Sequence, residues 1–144
     1  MKRSVFLFIA VMFGIMTANR ADAQLKVFYS FNRIFPKIGV EYDLNKIFAV
    51  DVSIYDVTTF DFFSPELAGR AKFLQKENYN LYTGAGVCLF FEAWSLTVPV
   101  GIEVRPFNAY PKLSFKFEFN ALFNLDILEH IYMPGFAVCY RLGK

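Results

Sequence analysis

Cysteine, histidine and tryptophan are scarce in this chain. Its 144 residues include two cysteines (Cys88 and Cys139), one histidine (His130) and one tryptophan (Trp94). No Cys/His grouping has the spacing of a metal site. Gly84-Ala85-Gly86 sits inside a strand pattern with no helix after it, so it is not a phosphate loop. Charge of one sign is not in excess either. The formal charge is +2. Dropping residues 1–23 removes Lys2, Arg3, Arg20 and Asp22, which takes the basic count from 15 to 12 and the acidic count from 13 to 12. A nearly neutral chain argues against a nucleic-acid partner. The sequence also holds no evidence for a cofactor. After residue 23 there is no apolar run long enough for a membrane-spanning helix.

The N-terminus reads as a secretory signal peptide. Lys2 and Arg3 are a short positive region, Val5 to Met16 is apolar, and Ala21-Asp22-Ala23 is an A-x-A cleavage site before Gln24. The division expected is therefore 1–23 signal peptide and 24–144 a single domain.

What is abundant is apolar and aromatic. Hydrophobic residues reach 56%, with nineteen Phe and eight Tyr, above the roughly 45–50% of an ordinary soluble domain. They are arranged with period two, which means strands. Trp94, Leu96, Val98, Val100, Ile102 and Val104 alternate with Ser95, Thr97, Pro99, Gly101, Glu103 and Arg105. Leu113, Phe115, Phe117 and Phe119 alternate with Ser114, Lys116, Glu118 and Asn120. The same pattern runs through Leu25–Asn32, Ile38–Asp43, Phe48–Tyr55, Tyr79–Phe91 and Tyr132–Leu142. Leu67–Lys76 is the weakest segment, where a helical turn competes with an eighth strand; an even strand count favours the strand. Short turns are expected at 43–46, 76–78 and 108–111. The opposite connections are expected at 33–37, 56–69, 91–94 and 124–130.

These strands predict an all-β, closed, up-and-down antiparallel eight-stranded barrel. Volume decides which face is inside. The bore of an eight-stranded barrel is filled by side chains or one small ligand, and the apolar face has too many phenylalanines to fit. The polar face carries Gly39, Gly84, Gly86, Gly101 and Gly135, as a crowded narrow bore requires. The apolar face therefore points to lipid. The bore is expected to be plugged by a paired network of Lys26, Glu41, Asp51, Arg70, Lys72, Glu103, Arg105, Lys116, Glu118 and Arg141. Tyr42, Tyr79 and Tyr140 at one end, joined by Tyr110, and Phe91, Trp94 and Tyr132 at the other, form two aromatic girdles.

Leu81-Tyr82-Thr83-Gly84-Ala85-Gly86-Val87, the run from Val98 to Phe107, and Pro134-Gly135-Phe136-Ala137-Val138-Cys139-Tyr140-Arg141 resemble the small eight-stranded outer-membrane β-barrel family, the OmpA/OmpX-like type. The resemblance covers residues 24–144. It implies a location in the outer membrane of a Gram-negative cell, contact with its lipids, and insertion by the barrel-assembly machinery. The chain departs from the family in closing on Tyr140-Arg141-Leu142-Gly143-Lys144, where such barrels close on an aromatic residue.

The chemistry on offer is sparse. His130 with Asp126, Glu129 and Ser64 could supply a lipid-acylating or deacylating triad, but no motif or spacing supports one. Cys88 and Cys139 fall on non-neighbouring strands and are expected as free thiols in the bore. Phe60, Asp61, Phe62 and Phe63 in the longest connection form an interaction patch or an interfacial anchor. The reading is a non-enzymatic outer-membrane barrel, structural or an accessory subunit of a larger membrane complex. The alternatives are a lipid-modifying barrel enzyme and, third, a soluble periplasmic lipid-binding barrel.

Overall fold

A computed structural model of the chain describes residues 24–32, 35–55, 64–90, 93–125 and 129–143. Eight strands follow one another: β1 Gln24–Asn32, β2 Lys37–Asp43, β3 Phe48–Tyr55, β4 Ser64–Gln75, β5 Tyr79–Phe90, β6 Ala93–Val104, β7 Leu113–Asn124 and β8 His130–Leu142. Each pairs antiparallel with the next, and β1 pairs with β8, so the sheet closes on itself. Closure removes the free edges that an open sheet would expose. The first and last described residues, Gln24 and Gly143, lie at one end of the barrel, called here the terminal end; β1, β3, β5 and β7 run from it toward the other, called here the loop end.

The segment with two readings is a strand. It begins at Ser64, within the stretch expected as a long connection, and runs to Gln75. Pro65 pairs with Ile54 near the start of β4, where a missing N–H is tolerated. The register shifts between Lys72 and Leu74, a bulge that turns the strand's last residues. Pro99 marks a second irregularity: the β5–β6 ladder runs to Thr83–Val100 and resumes at Gly86–Thr97.

Period two sorts the side chains as the volume argument requires. Trp94, Leu96, Val100, Phe117 and Phe119 face outward and are exposed in the isolated barrel, whereas Lys26, Glu41, Asp51, Glu66, Arg70, Glu103 and Lys116 are buried. Outer rings meet across strands: Phe117 lies opposite Phe136, ring centroids 5.1 Å apart, and Phe119 stacks on Tyr132.

Two bore aromatics sit on glycines of the neighbouring strand. Phe28 pairs with Gly39 and Tyr82 with Gly101. A Cβ on Gly39 would lie 2.6 Å from the Phe28 ring, and one on Gly101 would lie 2.6 Å from both the Tyr82 hydroxyl and the Phe117 carbonyl oxygen. Glycine here makes room for a ring inside a bore too narrow for both side chains. Gly101→Val should therefore cost about 1–3 kcal/mol or block folding. Gly69→Ala should be nearly neutral, because its Cβ would meet nothing closer than 3.9 Å. Urea unfolding in detergent micelles, read by the heat-dependent gel shift of folded barrels, separates the two.

Candidate functional site: the charged bore

The bore is built by alternate residues of all eight strands, so charges far apart in sequence converge. At the terminal end, the Lys26 ammonium donates to Glu41 Oε1 at 2.9 Å and to Glu103 Oε2 at 3.3 Å, and it lies 3.2 Å from Asp43. Lys72 donates to the other Asp43 oxygen at 2.5 Å. Lys116 donates to Glu41 Oε2. Deeper, Arg70 is the hub. Its Nε donates to Asp51 Oδ2, and its Nη1 is 2.7 Å from Glu118 Oε2 and 3.7 Å from Glu41 Oε2. Lys37 lies between Glu66 at 3.2 Å and Glu118 at 3.5 Å.

These contacts form one connected tree of five cations and six carboxylates. Neutral donors extend it. Tyr82 donates its hydroxyl proton to Glu118 at 2.8 Å, Ser114 donates to Glu103 at 2.7 Å, and Asn80 Nδ2 donates to Glu103 at 3.2 Å. The bore rings carry cations on their faces: the Arg70 guanidinium is 5.0 Å from the Tyr82 centroid, and the Lys116 ammonium 5.3 Å from that of Phe28. Moving one ion out of water costs several kcal/mol, so such a cluster persists only when charges and hydrogen bonds are matched together.

Toward the loop end the bore changes character. Thr97 donates to Asn120, whose amide donates to the Tyr55 hydroxyl. Tyr55, Cys88, Leu122 and Met133 then form an apolar cluster with Phe35 against it. Cys139 belongs to a separate cluster with Phe28 and Ala137. Both cysteines are buried and free, as their placement on β5 and β8 implied.

Of the ten charges expected in the network, eight come together. Arg105 and Arg141 do not; they are half-buried at the terminal mouth, and their Nε atoms have no acceptor among the described residues. The expected network also lacked three members. Lys37 and Glu66 were assigned to connections, and Asp43 was not counted among the paired charges. The structure buries all three, at 2%, 1% and 6% exposure. Parity was the available signal: Lys37 shares a face with Gly39 and Glu41, and Glu66 with Ala68 and Arg70.

The other candidates separate. Ser64 is buried at the start of β4, whereas His130 is exposed on β8 with its ring on Tyr132 at 5.3 Å. One faces the bore and the other the outside, so they cannot share a proton. Asp126, the Phe60–Phe63 patch, Phe91 and the proposed signal peptide lie outside the described residues. Trp94 and Tyr132 flank the loop end, and Tyr110 and Tyr140 the terminal end, each exposed, with Tyr42 and Tyr79 half-buried. Among the described residues no acidic, cysteine and histidine grouping could hold a metal ion.

No protein-family model and no curated protein sequence matches the chain. Solved structures do match in fold. The N-terminal β-barrel domain of Pseudomonas aeruginosa OprF aligns over 83% of this chain and 96% of its own, with TM-score 0.58 and 12% identity. Neisserial surface protein A aligns over 82% and 93%, with TM-score 0.53 and 14% identity. A de novo designed barrel, TMB2.3, aligns over 88% and 100%, with TM-score 0.63 and 14% identity. The chain thus has the fold of the small eight-stranded outer-membrane barrels.

Arg70→Met should cost about 3–5 kcal/mol, because it strands Asp51 as a buried anion and takes from Glu118 the nearer of its two cations. Adding Asp51→Asn and Glu118→Gln to Arg70→Met should recover most of the loss. Denaturant unfolding of the three proteins in one detergent checks it; a single mutant as stable as the parent would mean that the bore is wet.

Proposed function

We propose that this chain is a non-enzymatic outer-membrane barrel, with residues 1–23 removed as a signal peptide and the terminal end facing the periplasm. One observation carries the reading: the side chains are inverted relative to a water-soluble barrel. Phe117 is 52% exposed and Trp94 57%, while Glu41 is 1% exposed and Asp51 fully buried. In water this arrangement would expose apolar surface without return and desolvate ions at a cost. In a bilayer the apolar face meets acyl chains, and closure satisfies every interior strand's backbone.

Within that reading the protein is structural, or an accessory subunit that docks its outer face on a larger membrane complex. The Phe60-Asp61-Phe62-Phe63 stretch would add a contact at the loop end. A conducting pore is disfavoured, because the ion tree occupies the bore and Tyr55, Leu122 and Met133 follow it toward the loop end. A ligand-carrying soluble barrel is disfavoured for the same reason: salt bridges stand where a lipid would lie. A lipid-modifying enzyme would need a nucleophile and base facing each other at the rim, and Ser64 and His130 point to opposite sides of the wall.

Membrane partition tests the reading. The protein should remain in the membrane pellet after alkaline carbonate washing and require detergent for release. Recovery in the soluble periplasmic fraction would overturn it. In planar bilayers it should give no steady open channel. A His130→Ala strain should keep its lipid acylation profile; an altered profile would favour the enzyme.

A further inference from the structure

The wall of the barrel is not equally tall all round. β4 to β7 have 12 residues each and β8 has 13, but β1 has 9 and β2 has 7. A tilted strand climbs about 2.5 Å per residue along the membrane normal, so β2 covers roughly 17 Å and β8 roughly 32 Å, against an apolar band of about 25 Å. β2 turns Ile38, Val40 and Tyr42 outward, and nothing further.

The deficit lies at the loop end. At the terminal end the exposed Leu44 and Ile47 carry apolar surface on past Asp43. At the loop end the chain turns at once. The Phe35 N–H donates to Asn32 Oδ1 at 2.8 Å, and Phe35 packs against the bore cluster of Tyr55, Cys88, Leu122 and Met133. β1 stops at Asn32, opposite Gly135, and Gly135 lies opposite Glu118, halfway along β7. Phe119–Phe123 and His130–Pro134 run on from there, paired with each other. Among the described residues no strand pairs with the other edge of His130–Pro134. Backbone groups left unpaired in hydrocarbon are costly, so this stretch needs water or headgroups beside it.

We propose that the β1–β2 hairpin is a membrane-thinning surface, beside which glycerophospholipids pass between leaflets faster than through the surrounding bilayer. A wall shorter than the hydrocarbon core is met by a bilayer that thins to fit it. Headgroups at the loop end then descend toward the level of Asn32, where they also hydrate the unpaired edge of β8. The barrier to crossing is the transfer of a polar headgroup through hydrocarbon, and a thinner core lowers it. The wall of β5 to β8 spans the full core, so the effect is confined to one side of the barrel. The proposal rests on the reading of the chain as a membrane barrel.

The protein purified from its membrane and placed in phosphatidylcholine vesicles tests this in two ways. The first is depth. The Lys37 ammonium lies 3.5 Å from Glu118 in the bore, so the exposed residues next to them, Ile38 and Phe119, stand at similar heights on different walls. In a Trp94→Phe background, Ile38→Trp and Phe119→Trp report depth through quenching by lipids brominated at chosen chain positions. In dioleoyl phosphatidylcholine, Ile38→Trp should be quenched best near the headgroup and Phe119→Trp best near the chain ends. Equal depths would overturn the proposal. The second is lipid passage, read on the unaltered protein, whose folding no substitution disturbs. It should speed the bleaching of a fluorescent inner-leaflet phospholipid by external dithionite roughly tenfold over protein-free vesicles, the gain that a small lowering of the barrier gives. In dilauroyl phosphatidylcholine, whose thinner core leaves little to remove, that gain should vanish. No gain in the thicker bilayer, or an equal gain in both, as a leak would give, would overturn the proposal. Failure to insert into vesicles would instead refute the membrane reading beneath it.

Discussion

Eleven ionised side chains in a bore too narrow for bulk water hold this barrel to one arrangement. An ion pair in such a place is strong only if both partners and their remaining lone pairs are matched, because desolvation opposes it. Here Arg70 joins Asp51, Glu41 and Glu118, and Glu118 passes the connection to Lys37 and Glu66. These residues come from β2, β3, β4 and β7, so strand register and ion pairing enforce each other. A slip of one residue on any of those strands would turn its charges toward lipid. The glycines opposite Phe28 and Tyr82 serve the same end, letting aromatic faces approach the cations where no second side chain would fit.

The two ends of the bore close differently. Toward the terminal end the charges become less buried, through Asp43 and Lys72 to the half-buried Arg105 and Arg141. Toward the loop end, polar side chains give way to Tyr55, Leu122, Met133 and Cys88. The plug is therefore asymmetric along the barrel axis.

Much of this was readable from residue order. Seven strands and the orientation of their faces follow from alternation, and the crowding of glycine on the polar face identified the inside. The start of β4 was obscured because Ser64, Pro65 and Glu66 have the composition of a loop; only pairing with β3 reveals that Pro65 occupies a tolerated place beside Ile54. Lys37 was lost for a related reason: a charged residue next to Pro36 reads as a turn, yet parity with Glu41 carries it into the bore. Arg105 and Arg141 show the converse. Their parity is correct, but they sit past the level at which carboxylates are available, so alternation alone overstates the network. No sequence pattern specifies which cation meets which anion, since Lys26 and Glu103 meet through closure of the barrel across 77 positions.

The account stands on which face of each strand touches lipid. A nitroxide scan of β7 in liposomes, one position at a time from Leu113 to Asn120, measures this directly through collision with dissolved oxygen. Labels at 113, 115, 117 and 119 should collide freely, as they would among acyl chains, and labels at 114, 116, 118 and 120 should not. The reverse phase would put the phenylalanines inside and the charges out, and would contradict the account at its base.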